Sequence, residues 1–449
     1  MKIKQVVVLA GQAQVAGSRL PGLKQLGLPI SDCYSGDDGG KHCLLICDPD
    51  YEKSFVGSVR IRQALADDCA VLLDGSDCVP VLEEIRQTGG LSLETRNNLE
   101  AYALYRCLQS DLQRLAALQA GSGMPRYAGA AYEKVQDLRY GENWHQKAAL
   151  YSKPDGLGLH RARKLNGREM SYNNMVDAET VLEMLIDLSE YDGVPAKKPL
   201  SVIVKHANPC GVAYGSSLAK AYRLSFATDP KSAFGGVIGF NRPVDLETAR
   251  SIGDSFVEVL LAPGFEPEAL LLLTEKKPNR RILDIGDLLT RKDELYQGYY
   301  QRSIFGGMML QDYDTGDLKE WRVVTRRAPT ERESLALRFA WKVSKYVKSN
   351  ALVYTTENQT IGIGSGQVSR VDSARFGAEK AEEHGLSTKG TVAATDSFFP
   401  FRDGLDQTFQ AGAVAVIHPG GSIRDAEVID AANEHGMAMV FTGMRHFRH

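Results

Sequence analysis

A lysine and a histidine stand side by side at the end of an apolar run, Val202-Ile203-Val204-Lys205-His206-Ala207-Asn208-Pro209-Cys210-Gly211. The β-branched stretch predicts a buried strand, and Pro209 and Gly211 predict the turn that ends it. In open α/β sheets, chemistry collects at the carboxyl ends of strands. At such an end a lysine supplies a fixed cation, and a histidine supplies a base that is neutral near pH 7. The plainer alternative is a strand end with a solvated lysine and a hydrogen-bonded histidine. Spacing alone favours it, so the rest of the chain has to decide.

Three other stretches could do chemistry. Gly362-Ile363-Gly364-Ser365-Gly366 lies between a predicted strand and a predicted helix, but without the Gly-x-Gly-x-x-Gly spacing of a dinucleotide loop. The better expectation is a tight turn that brings backbone close to a ligand. Thr395-Asp396-Ser397-Phe398-Phe399-Pro400-Phe401-Arg402-Asp403-Gly404 places three phenylalanines beyond the strand Val392 to Ala394. They suit a hydrophobic core and a flat stacked ligand equally, and Asp403 suits either a ring amine or a helix cap. The tail Arg445-His446-Phe447-Arg448-His449 follows an apolar strand and is therefore expected to be anchored, where an arginine pair would fit a phosphate. His42, Cys43 and Cys47 lack a second zinc-type pair, and the seven irregularly spaced cysteines read as free, mostly buried thiols.

The elements that must position these groups are those of an α/β protein. The chain has 449 residues, 43% apolar and 24% charged, enough for two or three soluble domains. A net charge of -3 argues against bulk nucleic-acid binding. No apolar run reaches the ~20 residues of a membrane span, and no signal peptide is visible, so a cytoplasmic location is expected. Residues 1–125 read as strands Lys4 to Ala10, Cys43 to Cys47 and Cys69 to Leu73, with helices from Val79 and from about Leu91. Gly121-Ser122-Gly123-Met124-Pro125 reads as a linker. Residues 126–325 and 326–449 each alternate strand with helix, which predicts two largely parallel sheets in tandem, without a visible sequence repeat. Ser369 is expected to cap a helix.

Read in order, many segments resemble one family. They are Arg139-Tyr140-Gly141-Glu142-Asn143, Ser171-Tyr172-Asn173-Asn174, Lys205 to Gly211, Ser232-Ala233-Phe234-Gly235-Gly236 and Lys348-Ser349-Asn350-Ala351. Gly362 to Arg370, Asp396 to Asp403, Pro419 to Asp425 and Arg445 to His449 continue the series. Residues 130–449 are similar to the formyltransferase half of the bifunctional AICAR formyltransferase/IMP cyclohydrolase family. Trp144 departs from the smaller residue usual there.

The resemblance implies two tandem cytidine-deaminase-like α/β/α units without zinc, plus a smaller N-terminal α/β domain. It implies formyl transfer from 10-formyltetrahydrofolate to the 5-amine of AICAR, in a cytoplasmic homodimer acting on small molecules. No nucleic acid, membrane or catalytic metal is expected. By resemblance His206 is the base, Lys205 the acid or electrostatic stabiliser that also keeps the imidazole neutral, and Asn350 the residue orienting the formyl group. Arg139, Tyr140, Asn174, Phe234, Gly235, Glu258 and Arg445 match positions that hold AICAR, and Phe398 and Asp403 match the folate pocket. A structural monovalent cation is expected near Ser349 and Asp396.

Residues 56–117 resemble the end of the cyclohydrolase half, but that half's Lys-Thr-Leu-His-Pro and Asp-Ile-Gly-Gly segments are missing. Its Arg-Ala-Ala-Ala-Lys-Asn run appears as Arg60-Ile61-Arg62-Gln63-Ala64-Leu65, with Ala64 in place of the lysine. Loss of ring closure to IMP is expected. A bifunctional enzyme with replaced residues and a non-catalytic nucleotide-binding regulator are the competing expectations.

Overall fold

The apolar runs become short strands in the computed structural model, which describes residues 2–3, 5–9, 30–31, 43–47, 55–73, 78–121, 123–189, 191 and 198–449. Lys4, Ala10, Cys33, His42, Ser122 and the side chain of Cys78 lie outside the described residues. The protein is mixed α/β and divides into two compact units, Met1–Glu133 and Lys134–His449.

In the first unit β1 (Gln5–Leu9), β2 (Ile30–Ser31), β3 (Cys43–Cys47) and β4 (Ala70–Leu72) form a parallel sheet in the order β2-β1-β3-β4. Helices α1 (Phe55–Ala66), α2 (Cys78–Thr88) and α3 (Leu93–Leu118) cover it. Successive residues of a strand face opposite sides. Leu44 and Ile46 therefore pack with Val81, Ile85 and Leu99, while Cys43, Leu45 and Cys47 pack with Ile61, Ala64, Ala103 and Cys107. The described cysteines Cys43, Cys47, Cys69, Cys107 and Cys210 are buried and form no disulfide. Ser92 caps α3 by accepting from the Thr95 N–H. The glutamate that a capping box wants at the third position comes instead from α2: Glu84 accepts from the Ser92 N–H and the Thr95 hydroxyl.

A two-stranded sheet of β5 (Glu133–Leu138) and β6 (Ala148–Ser152) follows. The first large sheet contains β7 (Arg163–Asn166), β8 (Leu200–Lys205), β9 (Asn208–Tyr214), β10 (Val237–Phe240), β11 (Val259–Ala262) and β12 (Arg281–Asp284), in the order β7-β12-β11-β10-β8-β9. Only β10, β11 and β12 run parallel; β7, β8 and β9 are each antiparallel to a neighbour. A hairpin of β13 (Tyr300–Ile304) and β14 (Gly307–Gln311) separates this sheet from the next. The second large sheet, from β15 (Arg322–Val323), β16 (Leu352–Thr355), β17 (Thr360–Gly364), β18 (Val392–Thr395), β19 (Ala415–His418) and β20 (Ala438–Phe441), has the order β15-β20-β19-β18-β16-β17. Its strand directions repeat those of the first, position for position.

The helices repeat as well. In the first half α4 (Tyr172–Ser189) precedes β8, α5 (Leu218–Thr228) follows β9, α6 (Leu246–Ile252) follows β10 and α7 (Pro267–Lys276) follows β11. In the second, α8 (Glu331–Ser344), α9 (Arg370–Glu383), α10 (Arg402–Gln410) and α11 (Asp425–Glu434) take the same places. Residues of α4 and α8 share one core, with Val181, Leu185, Val202, Phe339, Val343 and Val353 all buried in it. The two sheets meet along β9 and β17, where Ala213 pairs with Gln359.

Two expectations are corrected here. Pro209 and Gly211 do not end a strand; they lie within β9, and the turn is the two-residue His206–Ala207 connection. Proline is tolerated because β9 is the last strand of its sheet and the register shifts beside Val204. Gly211 is required because a Cβ there would lie 1.9 Å from the Ser225 carbonyl oxygen of α5. The second correction concerns polarity. Lys205 ends β8, but β8 runs against the parallel trio, so the pair sits at the amino ends of β10 to β12.

Candidate active site

His206 and Ala207 adopt φ values of +54° and +56°, a region that side chains other than glycine and asparagine seldom occupy. The turn is held from α4. Asp177 is buried and accepts hydrogen bonds from the Ala207 N–H at 2.6 Å and the His206 N–H at 3.3 Å. Burial raises the Asp177 carboxyl above its ordinary range, and the two N–H donors partly offset that. Lys205 Nζ donates to the Phe234 carbonyl at 2.8 Å, which fixes the ammonium beside the imidazole's turn.

Lys205 and His206 line a cavity of about 270 Å³ together with Asn208, Cys210, Asp229, Ser365 and Lys380. Its far wall is ionic. Asp229 accepts from Lys380 Nζ at 2.9 Å and from the Ser232 hydroxyl at 2.6 Å. Burial acts to raise the Asp229 carboxyl, but the Ser232 and Lys380 donors outweigh it and the group stays below the usual carboxylate range. Burial pushes the Cys210 thiol up to about 12, so it remains protonated and unreactive at neutral pH.

The residues matched to nucleotide binding fall into three places. Phe234, Gly235 and Glu258 join Lys205 at the same sheet edge: the Gly235 N–H donates to the Phe256 carbonyl at 2.8 Å, and the Glu258 N–H donates to Gly236 at 3.0 Å. Phe234 is exposed, with its ring 5.0 Å from that of Phe256. The Glu258 carboxylate is paired with Arg281 at 2.5 Å. Arg139, Tyr140 and Asn174 gather at the start of α4, where Arg139 and Met170, then Tyr172 and Tyr140, are joined through backbone hydrogen bonds. The Arg139 guanidinium lies 5.4 Å from the Tyr140 ring. Asn174 is buried and exchanges hydrogen bonds with Ser171, one helical turn before Asp177. Arg445 stands apart, exposed, over the Phe447 ring.

The tail is anchored. The His446 N–H donates to the Asp396 carbonyl, its ring contacts Asp314 at 2.6 Å, and Arg448 donates to Glu183 at 2.7 Å. Arg448 is thus engaged, and of the expected arginine pair Arg445 is the exposed member.

Asn350 precedes β16 rather than ending a strand, and it is not among the residues lining the cavity. Its side chain donates to the Gln367 carbonyl at 2.9 Å. Two residues earlier, the Lys348 N–H donates to the side chain of Asn208, a cavity residue, at 3.0 Å. Asp396 is fully buried and accepts from Arg370, Ser349 and the Ala351 N–H at 2.8, 2.5 and 3.2 Å. The three phenylalanines divide: Phe399 is core against His418, Phe398 is half-buried, and Phe401 is exposed beneath Arg424. Asp403 is exposed in the first turn of α10 and accepts only from the Gly404 N–H among the described contacts.

The glycine run does not approach a ligand through all its members. A Cβ at Gly362 or Gly364 would lie 2.0 Å from the Gly377 oxygen or 1.9 Å from the Ser373 oxygen, so these two glycines let α9 close onto β17. Ser369 occupies the cap position of α9, but its hydroxyl makes no capping bond. Sequence reasoning missed Asp177, Asp229, Lys380 and Arg370. The signal available for Asp177 was its place three residues after Asn174, on the same helix face. Among the described residues no three His, Cys, Asp or Glu side chains group as a metal ion would require. No described helix is long and apolar enough to cross a membrane.

Residues 66–380 match the family model described as AICARFT/IMPCHase bienzyme. The chain is 45% identical over 386 residues to the bifunctional purine biosynthesis protein PurH of Persephonella marina, covering 84% of this chain and 73% of that one. It is 45% identical over 410 residues to the PurH of Acidithiobacillus ferrooxidans, covering 89% and 76%. It is 44% identical over 387 residues to that of Myxococcus xanthus, covering 85% and 73%.

Proposed function

Because the chain belongs to the AICARFT/IMPCHase bienzyme family, we propose that it is the formyltransferase of purine biosynthesis, moving formyl from 10-formyltetrahydrofolate to the 5-amine of AICAR. That amine is a poor nucleophile, because its lone pair is drawn into the imidazole ring. His206 takes its proton as the nitrogen attacks the formyl carbon. Lys205 stabilises the oxyanion and the departing N10, and Asn350 orients the formyl oxygen. The nucleotide is held by Arg139, Tyr140, Asn174, Phe234, Gly235, Glu258 and Arg445, and the folate by Phe398 and Asp403.

The observation that carries this reading is that Lys205 and His206 line one cavity of about 270 Å³ from adjacent positions, the end of β8 and the constrained turn that follows it. Mixing the protein with AICAR and 10-formyltetrahydrofolate should release tetrahydrofolate, followed by absorbance. His206→Ala should lower kcat by ~10² to 10⁴-fold and leave the KM for AICAR nearly unchanged. Absence of turnover in the unaltered protein, or equal loss of binding and rate in the variant, would refute the assignment.

The proposal includes three domains, 1–125, 126–325 and 326–449, in a cytoplasmic homodimer. It also includes loss of cyclohydrolase activity in the first domain. Supporting this, Ala64 is fully buried between the sheet and α3, where it offers neither charge nor a proton. The relatives' description as bifunctional favours a second reading in which both activities persist. Formation of IMP from formyl-AICAR at enzyme-like rates would decide for that reading.

A further inference from the structure

We infer that Asp177 is the positioning residue for His206, its carboxylate holding the β8–β9 turn in the left-handed geometry that presents the imidazole to the cavity. The inference rests on the formyltransferase reading for its consequences in rate, but its geometric basis is independent of that reading. A two-residue hairpin connection with both φ values positive is the place for Asn-Gly. Here it is His206–Ala207, at +54° and +56°. A Cβ is strained in this region, so two successive ones persist only where the surroundings over-determine the turn.

Asp177 supplies that determination. Consecutive left-handed residues aim their N–H groups toward a common side, forming a concavity that suits an anion. The Asp177 carboxylate fills it, with Oδ1 2.6 Å from the Ala207 nitrogen and Oδ2 3.3 Å from the His206 nitrogen. The carboxylate is itself well fixed, because Ala178 and Val181, its neighbours on α4, are fully buried. A hairpin needing only closure would be served by glycine at position 207. A buried carboxylate spent on holding an alanine there indicates that the exact path of the turn matters, and the side chain it places is His206.

Asp177→Asn keeps the shape but replaces one acceptor oxygen with an NH₂ group facing an N–H. We expect kcat for formyl transfer to fall by about 30-fold or more, with the KM for AICAR changed by less than about 3-fold. Two further variants separate positioning from a merely structural role. Adding Ala207→Gly to Asp177→Asn should recover about 5-fold or more, since glycine takes the left-handed path freely. Adding His206→Ala to Asp177→Asn should cause no loss beyond that of His206→Ala alone, because both changes act through one group. Amide exchange at Ala207 should quicken by about 10-fold in Asp177→Asn while that of α4 holds. Multiplying losses with His206→Ala, no recovery with Ala207→Gly, or unchanged exchange at Ala207 would each overturn the proposal. Should Asp177→Asn not fold, Asp177→Glu, which moves the carboxylate by one methylene, is put through the same series. If the unaltered protein transfers no formyl group, the functional reading fails, and the exchange measurement still decides whether Asp177 holds the turn.

Discussion

The Thr360 hydroxyl bonds both backbone groups of Val212, accepting from its N–H at 2.9 Å and lying 3.1 Å from its carbonyl oxygen. Thr228 adds a third link, donating to the Thr360 carbonyl at 2.6 Å. All three residues are buried. One side chain thereby joins β9 of the first sheet to β17 of the second, and the cavity with Lys205 and His206 is built on these same two strands and α5. Thr360→Val should leave the buried Val212 groups unpaired and destabilise the protein by about 2–4 kcal/mol. Thr360→Ser, which keeps the hydroxyl, should retain most of the stability. Urea unfolding midpoints of the two variants give the comparison, and equal midpoints would show that the seam does not depend on this hydroxyl.

Asp187 in α4 joins the halves by charge. Its carboxylate lies 3.1 Å from Lys342 Nζ, 3.2 Å from Lys345 Nζ and 3.1 Å from the Tyr346 hydroxyl. Burial acts to raise the Asp187 carboxyl, but Lys345 and Lys342 outweigh it and hold the group at about 2. A depressed carboxyl contributes stability above its unfolded value of about 3.9, and that contribution disappears as pH falls toward the folded value. For this group it amounts to roughly 2 kcal/mol, lost between about pH 4 and pH 2. Asp187→Asn should flatten this part of the acid-unfolding curve. It should also destabilise at neutral pH by about 3–5 kcal/mol, because two buried ammonium groups lose their shared counter-charge. An unaltered acid limb in the variant would remove Asp187 from the account.

Part of the fold and of the site is legible in the sequence. The β-branched run before Lys205 could hardly be anything but a buried strand, and the adjacency of Lys205 and His206 survives any error in strand boundaries. That two sheets stand in tandem is readable; that they share strand order and direction position for position is not. Packing constrains which positions are apolar and leaves their identities free, so two halves can share strand order without sharing sequence. Edge strands β7 and β15 were missed for a related reason: Arg163–Asn166 and Arg322–Val323 pair on one side only and carry little apolar pattern. Asp177 has its spacing from Asn174 as a signal, but its role depends on a turn that Pro209 and Gly211 predict three residues later. Phe398, Phe399 and Phe401 have the same side chain but three different burials, which only the fold decides.

Ala64→Lys tests the proposed loss of cyclohydrolase activity. The residue is fully buried in α1, packed with Ile61, Val71, Ala103 and Cys107. Ala64→Lys would force an ammonium into that apolar contact, where burial without a partner costs several kcal/mol or drives the group neutral. We expect the first unit to lose cooperative unfolding, or its melting temperature to drop by roughly 10 °C or more, with no IMP formed from formyl-AICAR. A stable variant that closes the ring would mean that the surrounding site is intact and only the lysine was missing.

The glycines at the end of β17 separate two reasons for the same residue. At Gly364 the φ angle is ordinary, but a Cβ would lie 1.9 Å from the backbone oxygen of Ser373 in α9. At Gly366 nothing lies within 4 Å of a Cβ, but φ is +67°. Gly364→Ala must push α9 away from the strand, and overpacking against backbone costs about 3 kcal/mol. Gly366→Ala has only the left-handed strain to bear, about 1 kcal/mol. The functional consequences should diverge further than the stabilities do. Helix α9 carries Arg370, which donates to Asp396, and Lys380, which pairs with Asp229 on the cavity wall. Moving it disturbs both contacts at once. Gly364→Ala should therefore lower formyl transfer by about 10-fold or more in protein that remains folded at the assay temperature, while Gly366→Ala keeps most of the rate. If the two variants lose stability and activity equally, close approach of α9 is not what the glycine at 364 provides.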